Sequence, residues 1–203
     1  HAQGKEGVTQ ALRAGVDTIE HGCPLDEEMV ELFKNNPRSL HGYSALIPTL
    51  IPALPLATLD TEVTKVTDVV KSNGIAIFEG MVEGLRTAIE HGIVVGTGTD
   101  SACTYFTHYC FWRELDYLVR FGGMTPAQAL HAATQTNAAI LGWGEVTGRV
   151  EEGFDADLVV VDANPLESFR NLSDRHLVVA RGHLIENPSV EKIDELDSVL
   201  DGI

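Results

Sequence analysis

Three side chains that could bind a metal ion stand beside extended runs of residues. Asp100 ends the largely apolar run of residues 93–99, His21 ends the run of residues 16–20, and His1 opens the chain. Two histidines and an aspartate offer nitrogen and oxygen donors that suit a divalent ion such as zinc. A divalent ion makes water a stronger nucleophile near neutral pH, so these residue types favour hydrolysis at a metal centre.

The segments that would position these side chains alternate between strand and helix patterns over the first 142 residues. We predict strands at residues 16–20, 40–50 and 93–96, a stiff proline loop at 51–59, and helices at 5–14, 24–34, 60–72, 75–90, 111–121 and 125–141. Such alternation predicts a parallel sheet. A (β/α)8 barrel gathers its active-site residues at the carboxyl ends of its strands, where the three proposed ligands would lie. Residues 1–142 are therefore predicted to be half of an α/β barrel.

The pattern changes after Gly142. Residues 148–150, 158–161 and 177–180 are short, strand-like and separated by turns. We predict that residues 143–185 form part of a small β-sandwich domain beside the barrel. Residues 186–203 are rich in acids and are expected to be a solvated tail.

Composition narrows the class of protein. A net charge of -16 argues against nucleic-acid binding, which needs basic patches. We find neither an apolar stretch of membrane-spanning length nor a signal peptide, so no membrane partner is expected. The three cysteines are odd in number and form no Cys-x-x-Cys pair, which favours a cytoplasmic protein without a disulfide framework. Cys23 and Cys103 follow proposed ligands and could line the site, although a packing role is favoured.

Several segments, taken in order, carry a family resemblance. They are His1-Ala2-Gln3-Gly4, residues 14–22, Pro48-Thr49-Leu50, Gly98-Thr99-Asp100, residues 123–134 and residues 148–160. Together they resemble the metal-dependent amidohydrolase superfamily and, within it, the prolidase-like and imidazolonepropionase-like branch. The first four are similar to the ends of the family's last four barrel strands, from the fifth to the eighth. The last two are similar to its final barrel helix and to the strand-forming segment after the barrel.

The resemblance implies roles for the proposed ligands. His1 and His21 would bind the second of two metal ions, which we expect to be zinc, and Asp100 would touch the other. Asp100 would also take a proton from the bridging water and pass it to the leaving nitrogen as general base and acid. The implied reaction is hydrolysis of a peptide-like or cyclic amide C–N bond in a small-molecule or dipeptide-like substrate.

Two further residues are candidates for contact with substrate. His108 follows the last predicted barrel strand, where substrate-contacting loops cluster, although plain exposure explains it equally well. Tyr43 could reach the pocket, although core packing is favoured. We therefore carry His108 and Tyr43 as substrate-binding candidates.

The resemblance also implies that part of the metal site lies outside this sequence. The family's first-strand His-x-His pair and its bridging lysine would precede residue 1, and the chain contains no His-x-His. We therefore expect the C-terminal half of a barrel that binds metal weakly and hydrolyses little alone. Its expected partners are the N-terminal half of the barrel and, because open strand edges recruit other strands, further copies of itself as a homo-oligomer.

Other functions stay open. In a mononuclear deaminase of the same superfamily, His21 would orient substrate or water without binding a second metal. The chain could instead be a non-catalytic folding or interaction module, with Asp100 serving only as a helix N-cap. A glycosidase is not supported, because Glu20 should point away from its neighbour His21 and no second acid accompanies Asp100.

Overall fold

A computed structural model describes residues 1–102, 105–173 and 175–203. Its first part contains α1 (Lys5–Ala14), β1 (Thr18–Glu20), α2 (Glu27–Lys34), β2 (Ala45–Ile47), α3 (Leu50–Thr58), α4 (Thr61–Thr64), α5 (Asp68–Glu90) and α6 (Phe111–Arg120). A helical stretch then runs through α7 (Pro126–His131), a π-helical turn (Ala132–Thr136) and α8 (Asn137–Ile140). The last part contains β3 (Leu158–Val161), a 3-10 turn (Phe169–Ser173), β4 (Arg175–Ala180), β5 (His183–Glu186) and α9 (Asp194–Leu200).

The strands of the first part run parallel. β1 and β2 pair with Ile19 opposite Leu46, and both residues are buried. Single parallel bridges extend this pair on both sides, from Ala2 to His21 and from Leu46 to Val95. Four chain segments therefore lie side by side in sequence order, as the alternation predicted. They do not close into a barrel, so the first part is an open, mixed α/β fold.

Helices cover this sheet and bury a large apolar core against it. Leu12 of α1, Phe33 of α2, Leu85 of α5 and Leu118 of α6 have no exposed surface. Helix α5 lies especially close to the chain after β1, because a Cβ at Gly84 would stand 2.1 Å from the carbonyl oxygen of Cys23. These contacts fix the position of the segment that carries His21.

Two predicted breaks lie inside helices. The proline loop predicted at residues 51–59 is wrong, because this segment lies in α3. Pro52 falls in the first turn, where a backbone N–H has no helical partner, and Pro55 lies inside the helix. The predicted break at Asn73-Gly74 is also wrong, because α5 runs through it. A Cβ at Gly74 would lie 3.2 Å from Cβ of Leu56, so this glycine lets α3 and α5 pack closely. Tertiary burial of apolar α3 outweighs the local signals.

The last part forms a three-stranded antiparallel sheet in the order β3-β4-β5. The strands predicted at residues 158–161 and 177–180 correspond to β3 and β4, whereas β5 was not predicted. The strand predicted at residues 148–150 is wrong, because this segment bends and Gly148 takes a positive φ of 96°. Val160 and Leu184 lie on one face of the sheet and remain 43% and 55% exposed. The apolar surface of this sheet is thus only partly covered.

The acidic segment after Glu186 is more ordered than a solvated tail. It contains α9, whose Leu200 is buried. Arg113 of α6 is also buried and donates to the carbonyl oxygen of Leu200 and to the carboxylate of Asp201, the latter at 2.6 Å. The segment therefore docks on α6. Among the described residues, no helix combines the length and apolarity that crossing a membrane requires.

Candidate metal centre

The three proposed ligands converge at the carboxyl ends of the parallel segments. Nδ1 of His1 lies 2.9 Å from Nε2 of His21, and each of these nitrogens lies 3.9 Å from an oxygen of Asp100. One donor atom from each residue falls within 4.8 Å of the other two. The expected convergence on one edge of the sheet is confirmed.

The backbone is strained at this edge. His21, which directly follows β1, has a φ of 74°, Asp100 has a φ of 51°, and Thr49, two residues after β2, has a φ of 48°. Residues other than glycine rarely adopt positive φ, and a β-branched residue such as Thr49 does so with particular difficulty. Strain of this kind persists where surrounding contacts enforce it, and such positions cluster at functional sites.

The ring of His21 is held from behind by Thr49. Oγ1 of Thr49 lies within hydrogen-bonding distance of both Nδ1 of His21 and the carbonyl oxygen of Pro48. In the tautomer that satisfies both contacts, the hydroxyl donates to the carbonyl oxygen of Pro48, which can only accept, and the hydroxyl oxygen accepts from Nδ1–H of His21. This arrangement leaves the lone pair of Nε2 facing His1 and Asp100. Burial lowers the pKa of His21, although the charge of Asp100 opposes this shift, so the neutral, metal-binding form is favoured.

The segment that leads to Asp100 is clamped by Asn137, the first residue of α8. Its side chain accepts from the backbone N–H of Thr97 at 2.9 Å and donates to the carbonyl and hydroxyl oxygens of Thr97 at 3.0 and 2.9 Å. Gly96 permits this approach, because a Cβ there would stand 2.5 Å from Oδ1 of Asn137. The π-helical turn before Asn137 is a form found frequently at functional sites.

His1 is the least enclosed member of the group. Its side chain is 65% exposed, compared with 6% for His21 and 31% for Asp100. Its ring meets that of His21 edge to face at 4.9 Å between centroids. The carboxylate of Glu20, the residue before His21, accepts from the hydroxyl of Thr18.

The two substrate-binding candidates lie elsewhere. Tyr43 precedes β2, at its amino end, where it stacks on His41 and packs against the cluster of Ala45, Ile47 and Ile140. His108 is exposed and lines a cavity of about 850 Å³ between α6, α7, α8 and the three-stranded sheet. No contact joins either residue to the three ligands within the described parts of the chain. Cys23 is buried beside Pro24, and Cys103 lies outside the described residues.

The donor set fits a divalent metal ion. Two imidazole nitrogens and a carboxylate are ligands that zinc, manganese and iron accept. Two ligands bound to one ion at about 2.1 Å stand up to roughly 4 Å apart, and the three distances of 2.9, 3.9 and 3.9 Å lie within that reach. The neutral tautomer inferred for His21 presents Nε2 as the donor, and Thr49 provides the outer hydrogen bond that metal-binding histidines usually make.

Comparison with known proteins shows which family this chain belongs to. The model of the amidohydrolase family matches residues 1–185. The chain belongs to the amidohydrolase family. It is similar to a Bifidobacterium longum protein provisionally described as a prolidase, with 48% identity over the whole chain and a TM-score of 0.97. It is also similar to a crystallised Xaa-Pro dipeptidase with methionine in its active site, with 30% identity over 92% of this chain and a TM-score of 0.76.

Among curated proteins, the chain is similar to ochratoxinase of Aspergillus niger, with 27% identity over 194 residues. That match covers 94% of this chain but 38% of ochratoxinase, and the chain spans 50% of the Bifidobacterium protein and 44% of the dipeptidase. The chain is thus a prolidase- and ochratoxinase-like member of the amidohydrolase superfamily, and it spans half or less of these relatives' length.

Proposed function

We propose that this chain is the C-terminal half of a metal-dependent hydrolase that cleaves peptide-like or cyclic amide C–N bonds. The convergence of His1, His21 and Asp100 is the observation that carries the proposal. The Xaa-Pro dipeptidase among the similar structures supports a dipeptide-like substrate. The site residues are reached through the exposed side of His1 and Asp100.

The roles of the chain's own residues follow from their environment. His1 and His21 would hold the ion through Nδ1 and Nε2, the atoms that face each other at 2.9 Å. A bound divalent ion supplies Lewis acidity and lowers the pKa of a coordinated water. Asp100 lies beside both nitrogens and stays partly open to solvent, so it can accept a proton from water and deliver it to a leaving nitrogen.

The fold is proposed to be half of a (β/α)8 barrel with part of a small β-sandwich. Ala2 and Val95 lie at the two edges of the open parallel sheet, because within the described residues each pairs with a neighbouring segment on one side only. The cavity lined by Trp112, Leu141 and Val159 lies between the helices and the three-stranded sheet. We propose that the remainder of a longer protein, or a second chain, supplies the missing strands and the remaining metal ligands.

Metal analysis and an amide-substrate panel on the full-length protein test this function. We expect bound zinc or a related ion and hydrolysis of Xaa-Pro dipeptides or N-acyl amino acids, both lost in His21→Ala. Release of ammonia from an amino-substituted ring, with one ion per chain, would favour the deaminase. A protein that binds no metal and cleaves no C–N bond would support an interaction module and overturn the proposal.

Light scattering on the isolated 203-residue chain tests the missing half. Exposed apolar surface costs about 25 cal/mol per Å², so we expect self-association or tight binding to the remainder of the protein. A stable monomer that melts cooperatively without a partner would contradict the half-barrel proposal.

A further inference from the structure

A buried carboxyl group lies behind the candidate metal centre. Glu114 of α6 has no exposed surface. Its two carboxyl oxygens accept the backbone N–H groups of Leu50 and Ile51, each at 2.9 Å. These are the first two residues of α3, so Glu114 supplies the acceptors that a helix N-terminus needs from a position more than 60 residues away.

Thr49 would ordinarily perform this task itself. It is the N-cap of α3, and a threonine there usually accepts from a backbone N–H of the first turn. Here its side chain makes no such bond. Its backbone is instead left-handed, and its hydroxyl lies between the carbonyl oxygen of Pro48 and Nδ1 of His21. Because Glu114 caps the helix, the hydroxyl of Thr49 is available to His21.

We propose that Glu114 is a positioning residue for the candidate metal centre and acts through Thr49 on His21. By capping α3, it holds Thr49 in the left-handed conformation that places Oγ1 behind the imidazole ring. Thr49 then fixes the tautomer in which Nε2 of His21 carries no proton and its lone pair is available to a metal ion. This inference rests on the proposed function, because it concerns the orientation of a metal ligand.

The environment of Glu114 supports a specific role. Burying a carboxyl group is costly unless it is fully hydrogen-bonded, and a local cap would satisfy α3 at less cost. Burial raises the pKa of Glu114 to about 8, while the N–H groups of Leu50 and Ile51 oppose this shift. The unfavourable burial of the Glu114 carboxyl group is therefore consistent with a role in positioning Thr49.

Zinc affinity of the full-length protein, measured by competition with a chromophoric chelator, tests this inference. We expect Glu114→Gln and Thr49→Val each to weaken zinc binding by about 10- to 100-fold, the usual effect of removing an outer hydrogen bond. Thr49→Ser retains the hydroxyl and should stay near the wild-type affinity. In the double variant, Glu114→Gln should add less than about twofold to the loss in Thr49→Val, because both changes interrupt one path.

Controls separate positioning from general destabilisation. Asp116→Asn replaces another acid of α6, one whose ion pair with Arg120 is exposed, and should leave zinc affinity unchanged. Glu114→Met removes both acceptors but keeps an apolar side chain of similar length, so it replaces Glu114→Gln if the amide prevents folding. The thermal unfolding of each metal-free variant is recorded beside its zinc affinity.

The outcomes also separate this inference from the proposed function. If the Glu114 variants unfold at lower temperature without zinc yet bind zinc like the wild type, the carboxyl group is only structural and the inference is wrong. Independent losses that multiply in the double variant would likewise overturn the path through Thr49. If His21→Ala also leaves zinc binding unchanged, the proposed function fails as well.

Discussion

The strand ends at the candidate metal centre differ from the three-stranded sheet in how completely contacts within this chain bury and fix their side chains. At the strand ends, His21, Thr49 and Thr97 are buried, and hydrogen bonds from distant residues fix each of them. In the sheet, apolar residues such as Val160 and Leu184 remain about half exposed. The first region is therefore organised by contacts within this chain, whereas the second has apolar surface that this chain leaves uncovered.

The largest expected effect is a loss of catalysis on substitution at the candidate metal centre, with no such loss beside the three-stranded sheet. Asp100→Asn removes the proposed proton-transfer group, so we expect kcat/KM of the full-length protein for its amide substrate to fall by about 10²- to 10⁴-fold. Asp155→Asn makes the same change at an exposed loop position shortly before β3 and should leave kcat/KM near the wild-type value. Equal effects of the two changes would show that Asp100 has no special place in the reaction.

The pH dependence of stability should reveal the buried carboxyl group of Glu114. Its pKa in the folded protein is raised to about 8 from 4.5, so the native state binds more protons than the unfolded state between those values. The contribution to stability is thus complete below about pH 4.5 and is lost as pH rises through 8. The slope can reach at most about 1.4 kcal/mol per pH unit.

Chemical denaturation of the metal-free wild type and of Glu114→Gln from pH 5 to 9 measures the direction of this pH dependence. The stability of the wild type relative to the variant should decline as pH rises. A relative stability that increases with pH would mean that the N–H groups of Leu50 and Ile51 outweigh burial.

A smaller effect is expected from the clamp on the strand that leads to Asp100. Asn137→Ala removes three hydrogen bonds and leaves the backbone N–H of Thr97 without its partner, which should cost about 2–4 kcal/mol. Asn164→Ala removes an exposed turn contact to the N–H of Leu166 and should cost less than about 1 kcal/mol. Denaturation midpoints measure both. Similar costs would show that the clamp matters no more than a surface turn.

Local signals were sufficient to predict the residues that end strands. The apolar run before Asp100 and the strand before His21 indicated a parallel sheet, and parallel strands bring their carboxyl ends to one edge. The helix predicted from residue 125 begins there as α7, where Thr125 and Gln128 form a complete capping box. These features depend on neighbours within a few residues, which a single sequence contains.

The residues that hold the site in place could not be predicted in the same way. Thr49 meets His21 across 28 positions, Asn137 meets Thr97 across 40, and Glu114 meets Leu50 across 64. Such partners become neighbours only when the sheet and helices have packed. The sequence did contain one signal for Glu114, which lies four residues before Leu118 and therefore on the same face of the helix. A charged residue on an apolar helix face needs a hydrogen-bonding partner when it is buried.

The smallest predicted effect tests whether the three-stranded sheet is covered in the full-length protein. Val160 and Val63 are matched, with 43% and 45% exposure in this chain, but Val160 lies in β3 and Val63 in α4. If the remainder of the protein covers the sheet, Val160→Ser should destabilise the full-length protein by about 1 kcal/mol more than Val63→Ser, since burying a valine side chain contributes about 1.5–3 kcal/mol. Chemical denaturation of both variants measures the difference. Equal and small losses, within about 0.5 kcal/mol of the wild type, would mean that this face stays exposed and that the sheet ends the fold.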